Sequence, residues 1–123
     1  MVMVLLVEDS IPNAQLIQVA MESRGIEVVC VNNGEDGVRL AQELHPLVIL
    51  MDLRLPGRGM DGWAAIAAIK ADQALSKIPI IVISVEIQPD DRQRAYDAGC
   101  AMYFPKPFSI VELINAVSNY VGM

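Results

Sequence analysis

Positive charge, cysteine, histidine and aromatic residues are all scarce in this 123-residue chain. Nine Lys and Arg stand against 15 Asp and Glu, a formal net charge of −6. No basic stripe exists to neutralise phosphates, which argues against a nucleic-acid-binding surface. The two cysteines, Cys30 and Cys100, sit in apolar contexts without CxxC spacing and read as buried, reduced thiols. The single histidine, His45, precedes Pro46 at a helix end and reads as a boundary residue rather than a ligand or base. The apolar runs MVMVLLV and LVILM are much too short to span a membrane. No basic region precedes the first run, which argues against a signal peptide and for a cytoplasmic protein. No GxxxxGK[ST] occurs, so a nucleotide-binding P-loop is absent.

What is abundant is apolar: 54% of the residues are hydrophobic. A sheet covered on both faces, with wholly apolar strands, accounts for such a value. The length fits one domain with a core of its own. Short β-rich runs at Val2–Val7, Glu27–Val31, Leu47–Met51, Ile78–Ser84 and Ala101–Phe104 alternate with segments of helical periodicity. The helices are expected over about Pro12–Arg24, Gly34–Leu44, Asp61–Ala74, Pro89–Ala98 and Ser109–Tyr120. Ser10 is the N-cap of the first, and Gly25 follows its end. Ser109 and Glu112 form a capping box for the fifth. Five βα units imply a doubly wound α/β fold, with one parallel five-stranded sheet and right-handed crossovers. The flavodoxin-like strand order 2-1-3-4-5 is expected. The last helix ends close to Met123, so a single domain without an attached output domain is expected.

Ligands of such folds bind beyond the carboxyl ends of the strands. The first strand is followed by Glu8-Asp9, the third by Asp52 and the fifth by Lys106-Pro107, while the fourth closes on Ser84. Three carboxylates this close cost roughly 4 kcal/mol per pair at an effective dielectric of about 20. Either some protonate or a cation sits among them. All-oxygen ligation by a few carboxylates and water suits Mg²⁺. The lysine supplies a point charge for a phosphoryl group and the serine a hydrogen bond. Together they make a phosphoryl-transfer constellation in which a carboxylate can be the nucleophile.

The segments LLVEDS, VILMDLRLPG, MDGW, IPIIVIS and YFPKPF resemble, in order and spacing, the signature blocks of two-component response-regulator receiver domains of the CheY-like, single-domain form. The resemblance covers essentially the whole chain. It implies that Asp52 is the phosphoacceptor, served by a sensor histidine kinase or a histidine phosphotransfer protein. It implies that Glu8, Asp9, Asp52 and the backbone carbonyl of Arg54 hold Mg²⁺, and that Ser84 and Lys106 contact the phosphoryl oxygens. Ser84 and Tyr103 would form the switch, with Tyr103 rotating inward, and the Lys106–Pro107 bond would be cis. The kinase would dock near Ile11, Pro12, Asn13 and Leu16. A downstream target would read a face that includes Glu86, Ile87, Arg92, Arg94, Tyr96, Tyr103 and Lys106, and that face could also carry a homodimer on activation. Such a protein catalyses its own phosphorylation and dephosphorylation without being an enzyme in the usual sense.

Three features depart from the common pattern. Arg58-Gly59 lengthens the stretch Pro56–Gly62 by two residues relative to the family. Val85 replaces a smaller residue after Ser84 and could narrow access to the site. Arg54 places a cation two residues after Asp52, where it can pair with the phosphoryl group or with a carboxylate. A phosphatase of the haloacid dehalogenase type needs an aspartate at that position as general acid, which argues against that class. A flavodoxin would need a hydroxyl- and glycine-rich loop where the acidic Glu8–Pro12 stands. The alternative that survives is a binding module of the same fold that works without phosphate.

Overall fold

The computed structural model describes residues 3–55 and 59–122. Strands β1 (Met3–Val7), β2 (Glu27–Val31), β3 (Val48–Met51), β4 (Ile80–Ser84) and β5 (Met102–Pro105) alternate with helices α1 (Ile11–Glu22), α2 (Gly34–Leu44), α3 (Gly62–Ala71), α4 (Asp91–Asp97) and α5 (Ile110–Val121). The strands pair in parallel in the order β2-β1-β3-β4-β5. This is the flavodoxin-like fold expected from the alternation of runs.

Period-two alternation sorts each strand between two cores. Val4 and Leu6 of β1, Leu50 of β3, and Ile81 and Ile83 of β4 pack with Ile17 and Met21 of α1 and Leu113 and Val117 of α5. Leu5, Val7, Ile49, Met51, Ile80 and Val82 pack on the other side with Ala41 of α2, Ala65, Ile66 and Ile69 of α3, and Ala95 of α4. Burial stabilises each large aliphatic side chain by about 1.5–3 kcal/mol, so the central strands anchor the molecule. The small α3 residues let that helix sit close on the sheet. Among the described residues no helix is long and apolar enough to cross a membrane.

The helix starts follow local capping chemistry. Ser10, Asn33, Asp61 and Ser109 each accept a hydrogen bond from the main chain three residues on, at 3.4, 2.8, 2.9 and 3.2 Å. Each satisfies a donor that the first helical turn leaves free. His45 closes α2 in the left-handed region, at φ 46°, with its N–H on Ala41 O.

Several expected boundaries move by one to three residues, and three of these shifts have a clear cause. Helix α3 stops at Ala71 rather than Ala74, because the Asp72 carboxylate accepts from Ala74 N at 2.9 Å and its carbonyl from Ser76 N. That aspartate offers the backbone a turn in place of another helical residue. Strand β4 starts at Ile80 because Ile78 donates to Leu75 in that turn and Pro79 has no N–H to give. Helix α4 starts at Asp91 rather than Pro89, because the Asp91 carboxylate takes the N–H groups of Ile87 and Gln88. The cysteine expectation needs one correction. Cys100 is buried, but Cys30 is only half-buried, because β2 is an edge strand.

Gly62 opens α3 directly against the acidic edge. Its N–H donates to Leu53 O at 3.1 Å, and a Cβ there would overlap the carbonyl oxygen of Asp52. Overpacking against main chain cannot be relieved by rotating a side chain. Gly62→Ala is therefore expected to destabilise the fold by about 1–3 kcal/mol. The check is a lower urea midpoint with an unchanged m-value.

Candidate functional site

The main chain continues the sheet's hydrogen bonding one residue past the strands, and this fixes the polar residues. Glu8 N donates to Val31 O and Asp52 N to Val7 O, each at 3.0 Å. Lys106 N donates to Ser84 O at 2.8 Å. Glu8, Asp52 and Lys106 are thus fixed at the carboxyl edge by backbone rather than by loops. The Lys106–Pro107 bond is cis.

Lys106 Nζ lies 2.7 Å from Glu8 Oε1 and 3.0 Å from Asp52 Oδ2. Glu8 and Asp52 are almost fully buried, at 3% and 2% exposure, whereas Asp9 is exposed. One carboxylate oxygen from each of Glu8, Asp9 and Asp52 falls within a set no wider than 4.8 Å. Glu8 Oε2 is buried without a hydrogen-bond partner. Three carboxylates against one ammonium leave an excess of negative charge, and an orphaned buried carboxylate oxygen lacks the ligand that would satisfy it. A small divalent cation with oxygen preference fits this set.

Burial, and then the neighbouring Asp52 carboxyl, push Glu8 up to about 7 against the opposing pull of Lys106. Burial also works to raise Asp52, but contacts with Glu8, the Arg54 N–H (2.9 Å to Oδ1) and Lys106 together outweigh it and hold Asp52 below its ordinary value. Their surroundings thus push the two neighbouring carboxyls in opposite directions. Burial opposes the Lys106 charge, yet Glu8 and Asp52 hold the ammonium above its usual range.

The other expected residues fall nearby with different engagements. Ser84 is fully buried, and its hydroxyl makes only a long 3.4 Å contact to Val85 O. Tyr103 is already turned into the core at 7% exposure, with Arg92 over its ring at 5.3 Å and its hydroxyl unpartnered. The expected inward rotation therefore has no outward starting point in this structure. Val85 is half exposed and helps line a cleft of about 420 Å³ with Asn13, Leu16, Lys106, Pro107 and Phe108. Arg58 lies outside the described residues. Beside it, Met60 N donates to the Glu35 carboxylate of α2.

Sequence reasoning missed Asp91. It is fully buried, and its Oδ2 accepts from Arg54 Nη2 at 2.5 Å, from Ile87 N at 2.9 Å and from Gln88 N at 3.1 Å. The main-chain donors of Ile87 and Gln88, helped by Arg54, hold Asp91 down at about 2. Arg54 thus pairs with a carboxylate. Asp90-Asp91 reads along the chain as two solvated acids ahead of a helix, and nothing local marks which one is buried.

A doubly wound α/β domain with acids and a lysine gathered at the sheet's carboxyl edge is the architecture of a signalling receiver. The chain belongs to the response regulator receiver domain family, whose model matches residues 4–118. The polar-differentiation response regulator DivK of Brucella ovis is 33% identical over 119 residues, covering 97% of this chain and 95% of that protein. The receiver domain of Francisella response regulator 1452 superposes with a TM-score of 0.90 at 25% identity, covering 99% of this chain and 98% of that one. The receiver domain of sensor histidine kinase PA1611 from Pseudomonas aeruginosa PAO1, solved with a magnesium ion coordinated in its active-site cleft, gives 0.86 at 34% identity over 98% of both chains.

Glu8 links the site to stability. Its carboxyl titrates higher in the fold than its ordinary value of 4.5, so its contribution is full below pH 4.5 and is lost as pH rises through about 7. In metal-free protein, Glu8→Gln is expected to unfold at a higher urea concentration than the wild type at about pH 8. That advantage should shrink as pH falls from about 7 to about 4.5 and stay constant below. A constant difference across the range would remove Glu8 as its source.

Proposed function

We propose that Asp52 accepts a phosphoryl group from a phosphohistidine on a sensor histidine kinase or a histidine phosphotransfer protein, and that the phosphorylated chain engages a downstream target. The observation that carries this reading is the geometry: a buried Asp52 carboxylate with Lys106 Nζ 3.0 Å from its Oδ2 and the Glu8 and Asp9 carboxylates within reach of a shared cation. An ionised carboxylate is the form that can attack phosphorus.

In the transfer, an Asp52 carboxylate oxygen forms the new P–O bond as the P–N bond of the donor breaks. The bonding pair leaves on the imidazole nitrogen. Lys106 Nζ is positioned to stabilise the charge on the phosphoryl oxygens. The Arg54 N–H keeps one Asp52 oxygen oriented and leaves the other to react. Glu8, Asp9 and Asp52, with the Arg54 carbonyl, would hold Mg²⁺, which when bound neutralises charge on the transferring group.

The product carries about −1.5 to −2 charge where Asp52 carried a single one. Ser84, whose hydroxyl is only loosely engaged, is free to bond a phosphoryl oxygen. Tyr103 would respond by shifting within the core, where its hydroxyl lacks a partner, rather than by entering from solvent. Signalling is then a population shift between two packings of the β4–α4–β5 face.

Two experiments test this. With Mg²⁺ and acetyl phosphate, intact mass should show one phosphoryl adduct in the wild type and none in Asp52→Asn or without the metal. Equal adduct formation in Asp52→Asn would overturn the nucleophile, and no adduct or beryllofluoride complex at all would favour the phosphate-independent binding module. Separately, Mg²⁺ binding must drive the proton off Glu8, so its affinity should weaken as pH drops below about 7. Calorimetric titration at several pH values should show that trend, and Glu8→Gln should flatten it.

A further inference from the structure

Arg54 faces two ways. Its main-chain N–H holds Asp52 Oδ1 at 2.9 Å, while its guanidinium reaches Asp91 of α4 at 2.5 Å. The Asp91 side chain is 1% exposed and that of Arg54 is 32% exposed. A carboxylate buried so deeply depends on its cation, because removing one partner of a buried pair leaves an uncompensated charge. The same Asp91 oxygen closes the β4–α4 turn by accepting from Ile87 and Gln88.

The pair is also incompletely satisfied. Asp91 Oδ1 and Arg54 Nε are both buried without hydrogen-bond partners, and the next cation, Arg94, lies 3.7 Å from Oδ1. A half-satisfied buried pair is poorly suited to maximal stability and well suited to exchanging partners. Arg94 in turn lies over the Trp63 ring at 4.4 Å, and Trp63 adjoins the Gly62 that packs on the Asp52 carbonyl.

We propose that the Arg54–Asp91 ion pair is the link between the acceptor aspartate and α4, with Asp91 serving as a positioning residue that acts through Arg54. The proposal rests on Asp52 being the phosphorylated residue. Added negative charge at Asp52 competes for the guanidinium two residues away. As Arg54 yields toward it, Asp91 loses its cation in a buried place, and the turn holding Ile87 and Gln88 must rearrange. Coupling of this kind is reciprocal, so a partner that prefers the released α4 also stabilises the phosphorylated state.

The test uses the full chain as wild type, Asp91→Asn, Arg54→Met, Arg54→Lys and the Asp91→Asn/Arg54→Met double variant. Each is phosphorylated with acetyl phosphate and Mg²⁺, or loaded with beryllofluoride where no adduct forms. Adduct lifetime is read by intact mass, or complex lifetime by beryllofluoride release, and the conformational response is read from the emission of Trp63, the single tryptophan. Asp91→Asn should change the lifetime by about threefold or more in the wild-type background and have no further effect on Arg54→Met. Arg54→Met should abolish the emission change that accompanies loading, and Arg54→Lys should restore part of it. An Asp91→Asn effect that is absent, or equally large in both backgrounds, overturns the link. So does a wild-type emission response in Arg54→Met, which decides the matter even if Asp91→Asn does not fold. If the wild type takes up neither phosphate nor beryllofluoride, the acceptor reading has failed and the link fails with it, a result distinct from those above.

Discussion

The Lys106 ammonium between two buried carboxyls is the contact on which the site depends. Burial alone would drive both Glu8 and Asp52 toward the protonated form, and their proximity would add to that drive. Lys106, at 2.7 and 3.0 Å, opposes that drive at both, and the Arg54 N–H adds to that opposition at Asp52 alone. Glu8 is pushed above its ordinary value and Asp52 is held below its own. Two acids of nearly identical chemistry thereby acquire different roles from their surroundings. Asp9 stays in water, where it can help admit a cation without the cost of burial.

The fold could be read because its physical causes are local. Wholly apolar strands separated by capped amphipathic segments have few solutions other than a covered parallel sheet. The acids and the lysine could be read for a related reason, since strand ends in such a sheet must converge. What could not be read depends on long-range partners. The burial of Asp91 follows from Arg54, thirty-seven residues earlier in the chain, and from the turn that both help to close. The late start of α4 has the same origin. The early end of α3 comes from Asp72, whose competing turn is visible only once the chain has chosen between two local hydrogen bonds. The half-burial of Cys30 reflects the position of β2 at the sheet edge, which the expected strand order already implied but the apolar residues around it concealed.

Arg54 also explains why this arrangement differs from that of a hydrolase. A proton donor two residues after the acceptor would help a leaving group depart. This chain has a guanidinium there, held by a buried acid. The position after Asp52 that a hydrolase would use for a proton donor is thus occupied by a cation whose partner is Asp91.

The side chains of Glu8, Asp52 and Lys106 hang from backbone already locked by strand-type hydrogen bonds. Their backbone entropy is lost when the sheet forms, so on the proposed reading an incoming donor would have little left to organise. The proposed chemistry would in that sense be indiscriminate. Whatever would select one donor from another would then lie outside the reactive edge, on surfaces that touch a donor protein but never the phosphorus. Address and reaction are thereby separated in the molecule, and one can diversify while the other stays fixed.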